Sequence, residues 1–555
     1  MTARSMRSFL LALALLLAAA APAAAAGTLT VVSNGDFVDT DCGRAYYSYD
    51  YMLCYATQRP PYSYNPAAAG APVPDLAEAP PEIGDGGRTI TIRLRPGVRF
   101  SPPVGREVTS DDVKYAIERM FFRSVANGYA GAYLGDIVGA RTGAKPGRRI
   151  RGLQTPDART LVIRLKRTTA AAAVGALSLP GASPVPRAYA RRYDRKRTST
   201  YARHQVATGP YAVAAYKPSR SLRVERNPNW DRATDFRPAP LDGFVFKAGN
   251  DPRDATGRIL DGGGLVSGDF APPAGVIRSR QPARPAQFGS TGNGAYRYAA
   301  MNTSRKPFRD PDVRRAVLAA FDREAMRDSR GGPVVGDVAT HLLPPGVPGF
   351  AEAGGAAGPP LDYLANPRGD MLVAQRYMKA AGYADGRYHG RAIRMIGVRQ
   401  GVGRRAAQIA RAQFEKLGFR VRLKLVSPDA MYSRYCQRPR SHYDVCPNVA
   451  WGKDFDDPQT LLDVPFNGRN IVREGNSNHA LFDNGAINRA MEAAKRVVDP
   501  GERARAWAAI DRRLMGKAAA VPWLWDRQTA IASADVAPVL NPFTANWDMA
   551  FTGLR

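Results

Sequence analysis

Between residues 88 and 121 the spacing of apolar positions changes from alternate to helical. Ile90, Ile92 and Leu94 alternate with Thr and Arg, the pattern of a half-buried strand. Pro96-Gly97 imposes a turn, and Val98 and Phe100 resume a short extended piece. Thr109 and Asp112 then stand three apart before a periodic run. That spacing predicts a capping box, in which a hydroxyl and a carboxylate satisfy free N–H groups at a helix start. Val113, Ala116, Ile117, Met120 and Phe121 follow at helical spacing and predict one buried face.

The same reading places strands at 28–32, 160–165, 296–302, 393–398, 421–426 and 521–525. Residues 212–216 and 221–226 read as a hairpin, with the Thr208-Gly209-Pro210-Tyr211 turn before it. A helix after Asp310 has that Asp as cap and Pro311 at its first position, with a stripe of Val313, Ala316, Val317, Ala320 and Phe321. Residues 374–386 give a short helix ending at Gly382, placed for a left-handed cap. Residues 486–497 and 502–515 give two amphipathic helices. Residues 67–81 read as a Pro/Ala linker, and 271–290 as a loop or lobe boundary.

Residues 401–406, Gly-Val-Gly-Arg-Arg-Ala, match G-x-G-x-x-A between two strands. A dinucleotide site would need an acid near the end of the second strand. Ser427 sits there, so a plain βαβ unit is expected.

Composition adds three points. Residues 1–26 read as a secretory signal peptide, with Arg4 and Arg7 before an apolar run and Ala24-Ala25-Ala26 before Gly27. An N-terminal membrane anchor is the competing reading. No Cys follows the run, so the lipid-anchor signal is absent and the means of surface retention stays open. The formal charge is +30, or +28 once Arg4 and Arg7 leave. The arginines are scattered and no nucleic-acid motif accompanies them, so a basic surface facing an anionic cell envelope is expected rather than nucleic acid. Cys42, Cys54, Cys436 and Cys446 allow three connectivities in an oxidising compartment. The two close pairs, Cys42–Cys54 and Cys436–Cys446, are the expected bridges; zinc is the competing reading, and the spacings do not match structural zinc sites.

The wording of four stretches carries a resemblance. The first is Val73-Pro74-Asp75-Leu76-Ala77-Glu78, followed by LRPGVRF and VTSDDVKYAIER. The second is the TGPY turn with Arg226-Asn227-Pro228-Asn229-Trp230. The third is Met301-Asn302-Thr303, Pro307-Phe308 and Phe321-Asp322-Arg323-Glu324, continued by Leu343-Pro344-Pro345-Gly346. The fourth spans 444–463, DVCPNVAWGKDFDDPQTLLD. In this order they closely resemble the family 5 extracellular solute-binding proteins of ABC importers, the oligopeptide-, dipeptide- and nickel-binding proteins. One departure is a loop at 101–106, slightly longer than the family's Asp-Gly turn.

The resemblance implies an α/β, two-lobed periplasmic-binding-protein-like fold with an extra subdomain in the first lobe. The first lobe would span 27–290 with the subdomain at about 65–190, the second 291–525, and 526–555 would return to the first. Two crossing strands would act as hinge. The implied function is capture of a small peptide or other small solute in the interlobe cleft and delivery to a membrane permease. The protein would be exported to the periplasm or cell envelope, monomeric, and without cofactor, metal or catalytic residues. Trp451 and Asp454 match the family's Trp and the acid that meets a peptide's α-ammonium group. Asp457-Pro458 reads as a helix cap. The tyrosine-rich run at 36–64, with Tyr55 and Tyr62, would line part of the cleft; a packed aromatic loop is the alternative. The competing function is a secreted hydrolase acting on peptides or glycosides. The five histidines form no hydrolase spacing and no G-x-S-x-G occurs, but a two-carboxylate glycosidase carries no local motif.

Overall fold

A computed structural model describes residues 27–555 except 69, 70, 196 and 474. The expected signal peptide therefore lies outside the described residues. Among the described residues no helix is long and apolar enough to cross a membrane.

Two large sheets and a smaller third one organise the chain. The first runs in the order Leu265–Ser267, Thr28–Val32, Gly243–Lys247, Ser221–Arg226, Tyr211–Lys217. Its first three strands are parallel, and the last two form the expected hairpin. The second sheet runs Gly336–Asp337, Val521–Ile531, Phe288–Met301, Val445–Gly452, Ile393–Val398, Val421–Val426. The βαβ unit is present there, with Ile393–Val398 parallel to Val421–Val426 and the helix Gly401–Lys416 between them. A Cβ on Gly403 would stand 2.7 Å from the Val398 side chain. The glycine lets the helix pack close to the strand.

Two strands are longer than the apolar pattern indicates. Phe288–Met301 and Val521–Ile531 pair antiparallel from Phe288↔Ile531 to Ala299↔Val521. Residues 288–294 hold three glycines and no alternation, so their extended form comes from the pairing. Beyond Ile531, Ala532 bridges to Val266 of the first sheet, and the Ser533 N–H donates to the Leu265 carbonyl at 2.8 Å. The two long strands thus belong to one sheet and end against the other. The segment expected as a loop, 271–290, also holds a helix, Ala274–Arg280.

The third sheet is Glu82–Gly84, Thr89–Arg93, Thr160–Arg164, Leu153–Gln154. Its helix, Ser110–Met120, starts at Thr109 with the capping box formed by Asp112. Ile90, Ile92, Val113 and Ile117 are buried together. That interior also takes in Tyr51, Tyr55, Tyr62, Tyr64 and Val206, and two distant residues, Phe455 and Phe543. In the tail, Val536, Trp547 and Met549 pack with Leu29, Val31 and Phe244 of the first sheet.

Buried ion pairs tie the family-like stretches together. Asp75 accepts from Arg59 at 2.7 Å and from Arg237 at 2.6 Å, and Arg237 also meets Asp235 at 2.8 Å. The Trp230 indole N–H donates to Asp235 at 2.8 Å. Arg119, at the end of the capped helix, bridges Asp41 and Asp194 at 2.6 and 2.8 Å with both partners fully buried. Each charged group here meets an opposite charge and is hydrogen-bonded, the condition under which burial is tolerated. The disulfides are Cys42–Cys54 and Cys436–Cys446, the two close pairs.

Candidate interlobe binding site

A cavity of about 610 Å³ opens between the start of the helix Ser48–Thr57 and the second sheet. That volume is in the range of sites that enclose a small organic ligand. One wall comes from the first lobe: Tyr46, Tyr47, Ser48 and Tyr51 at the start of the helix Ser48–Thr57, with Tyr129. The long strands supply Ala295, Arg297, Asp526 and Gln528. Their pairing shifts register between Gly292 and Ala295 and again between Arg297 and Tyr298, and such bulges re-aim side chains. The other wall is the segment from Ala450 to Asp454, with Tyr432, Ser477 and His479. Phe543 and Thr544 of the tail close one side.

The acidic run after Trp451 divides into separate roles. Asp457 caps the helix Pro458–Phe466 by accepting from the Gln459 N–H, with Pro458 in the first turn, and pairs with Arg503 at 2.6 Å. Asp456 is held by Lys453 at 3.1 Å. Asp454 lines the cavity and accepts from the Tyr133 hydroxyl. Among the described residues no cation pairs with it. Burial pushes its carboxyl up to about 7, against the lowering effect of the Tyr133 hydrogen bond. Desolvation without a compensating charge is the cause. Arg297 and Lys453, the cations in the wall, already meet Asp526 at 2.6 Å and Asp456.

Trp451 presents its ring to the cavity while its indole N–H donates to the Thr460 carbonyl at 2.9 Å. The ring is therefore fixed and its face left for apolar contact. Opposite it, Tyr46 stacks on Tyr129 with ring centres 4.9 Å apart, and the Tyr51 hydroxyl donates to Tyr129 at 2.8 Å.

Of the four residues expected to contact ligand, Trp451 and Asp454 line the cavity; Tyr55 and Tyr62 do not. Tyr55 lies one turn beyond Tyr51 and donates to the Ser178 carbonyl at 3.1 Å. Tyr62 sits in the strand Tyr62–Tyr64 and is buried in the subdomain interior. The tyrosine-rich run is thus divided: Tyr46, Tyr47 and Tyr51 face the cavity, and the rest packs inside. No local signal separates them, because the helix axis, not the spacing, decides which turn reaches the cleft. Tyr129, Tyr432, His479 and Phe543 also line the cavity, and no local pattern marks them because each is distant in sequence from the recognisable stretch.

The lobes also touch beside the cavity. Phe455, next to Asp454, is buried in the subdomain interior and meets Tyr133 edge-on at 4.7 Å. A Cβ on Gly175 would stand 2.3 Å from the Phe455 ring, so that glycine forms the notch that admits it. Arg167 reaches Glu492 at 3.9 Å across the same gap. His341, which pairs with Asp511 at 2.7 Å, has its other ring nitrogen on the Gly355 carbonyl at 3.0 Å and lies outside the cavity. It has no nitrogen left to activate a nucleophile.

Two lobes joined by crossing strands around a single-ligand cavity define a two-lobed binding protein. The sequence profile of the bacterial extracellular solute-binding proteins, family 5, matches residues 71–472, and the chain belongs to that family. Di/tripeptide-binding protein 3 of Pseudomonas aeruginosa is 24% identical over 441 residues, which is 78% of this chain and 77% of that protein. Heme-binding protein A of Haemophilus influenzae is 25% identical, covering 78% and 75%. Among solved structures, clavulanic acid biosynthesis oligopeptide binding protein 2 superposes with a TM-score of 0.84 at 31% identity over 95% of each chain. The Helicobacter pylori protein DppA, solved with the peptide STSA, superposes at 0.74 with 18% identity over 94% of this chain and 98% of its own; it supports the fold alone.

Proposed function

We propose that this protein captures a peptide-like solute bearing a free ammonium group and delivers it to the permease of an ABC importer. It would act outside the cytoplasmic membrane, as a monomer and without catalysis. The observation that carries the reading is Asp454, a desolvated carboxylate in the cavity wall with no cation partner among the described residues. An ammonium ion brought into the cavity supplies the missing charge, and a buried carboxylate gains most from such a partner. The aromatic walls accept varied side chains, which suits a carrier of many sequences. Relatives named for di- and tripeptide binding support the peptide class. The competing hydrolase reading has no support among these relatives.

Calorimetric titration with a panel of short peptides and their N-acetylated forms tests this. The free-amine peptides are expected to bind, to raise the melting temperature because they bind the folded state, and to make the particle more compact in solution scattering. Equal affinity for the acetylated forms would show that no ammonium is read and would turn the search to non-peptide solutes.

A further inference from the structure

His479 belongs to the cavity wall, yet the ammonium reading gives it no task. Its side chain is 1% exposed. The ring lies between two cavity residues, with centres 5.7 Å from Tyr432 and 6.4 Å from Trp451, both edge-on. Its backbone is held on both sides: the N–H donates to the Ser477 carbonyl at 3.0 Å, and the carbonyl accepts from the Tyr443 hydroxyl at 2.5 Å.

The ring's protonation pattern follows from its neighbour. Nδ1 is 3.1 Å from the hydroxyl of Tyr298. Tyr298 is fully buried, flanked by the rings of Tyr296 and Phe466. Among the described residues that hydroxyl has no other partner. If Nδ1 carried the hydrogen, the Tyr298 proton and the Nε2 lone pair would both be buried without a partner among the described residues. The favoured arrangement has Tyr298 donating to Nδ1, which puts the ring hydrogen on Nε2. Burial pushes the imidazolium pKa down to about 4, so the ring is neutral at physiological pH. Nε2 itself is buried and has no partner among the described residues. His479 lines the cavity, and with Nδ1 taken up by Tyr298, Nε2 is the ring nitrogen left for a solute.

Resting on the solute-binding reading of this cavity, we infer that His479 Nε2–H is a ligand-reading donor that takes a carbonyl or carboxylate oxygen of the solute, with Tyr298 as the positioning residue that fixes its tautomer. A neutral donor suits both kinds of oxygen, where a guanidinium would favour the carboxylate alone. With Asp454 it gives the cleft an acceptor for a cation and a donor for an acyl oxygen, the two groups every peptide carries.

The test has two arms. In the free protein, ¹⁵N NMR of labelled histidine, with His479 assigned by the loss of its signals in His479→Gln, should show a protonated Nε2 and a bare Nδ1 at neutral pH. Tyr298→Phe should mix the tautomers. A hydrogen on Nδ1 in the wild type would overturn the inference. In the second arm, titration with a tripeptide panel should show His479→Leu binding on the order of 10-fold to 100-fold more weakly. His479→Gln, whose amide can accept from Tyr298 and donate to the ligand, should recover most of that loss. Unchanged affinity in a His479→Leu variant with a wild-type melting curve would also overturn it. If the wild type binds no tripeptide, the peptide reading falls. The NMR titration with acetate and N-methylacetamide, which carry the two oxygens without a peptide, then decides for His479: an Nε2–H resonance that moves supports it, and one that stays fixed refutes it.

Discussion

Replacing Asp454 by Asn should make the free protein more stable and the loaded protein weaker. The carboxyl is raised from 3.8 to about 7 by burial. The folded state therefore holds the proton more tightly than the unfolded chain. Below about pH 4 both states are protonated and nothing is lost. As pH rises from about 4 to about 7, the unfolded chain ionises first and wild-type stability falls; above 7 both are ionised and the loss is constant. A shift of this size corresponds to about 4 kcal/mol. Asp454 is only partly shielded from solvent, so screening reduces this, and about 1–3 kcal/mol is expected. Asn keeps the shape and still accepts from Tyr133, but it carries no charge to desolvate. Urea denaturation of both proteins across pH 4 to 8 should show the mutant ahead by a margin that opens between pH 4 and 7 and then stays level. The same change should cost on the order of 2–5 kcal/mol of affinity for a free-amine peptide, the range for removing one partner of a buried charge pair. Asp456→Asn, whose carboxylate already meets Lys453, should cost much less. A mutant less stable than wild type at pH 8 would refute the reasoning, because it would mean that Asp454 serves the fold and not a ligand.

Three further outcomes follow from the packing. Gly175→Val should push Phe455 out of its notch; peptide affinity should fall at least about 10-fold, as expected when the closed state is penalised by more than about 1.4 kcal/mol, and scattering should show no ligand-driven compaction. Arg119→Met should leave Asp41 and Asp194 buried without a cation and lower stability by about 3–5 kcal/mol in denaturant titration. Cys436→Ala with Cys446→Ala should cost about 2–4 kcal/mol by freeing a short loop in the unfolded chain, and non-reducing peptide mapping of the wild type should recover both close pairs.

The local elements and the family were legible in the order of residues alone. The capping box at Thr109 and Asp112, the Asp310-Pro311 and Asp457-Pro458 helix starts, the βαβ unit and the hairpin all formed where the pattern placed them, because caps, turns and apolar periodicity act within a few residues. The wording that carried the resemblance proves to be mostly scaffold. Asp75, Arg119 and Trp230 hold charge networks and indole contacts inside the first lobe, where a buried polar group tolerates little substitution. Trp451 and Asp454 were legible as cleft residues because that same stretch includes them.

Tertiary structure decided the rest. The extended form of 288–294 came from pairing with the strand that ends at Ile531, since a glycine-rich segment has no alternation to announce it. Which tyrosines face the cavity was set by the position of the helix Ser48–Thr57 against the subdomain, so Tyr51 reaches the cavity and Tyr55, on the same face, stays inside. His479 meets the Tyr298 hydroxyl through Nδ1 across 181 positions of sequence. Spacing along the chain fixes what a residue's near neighbours can do; what stands across a cleft depends on strands that join distant parts of it, and that arrangement is written in no local pattern.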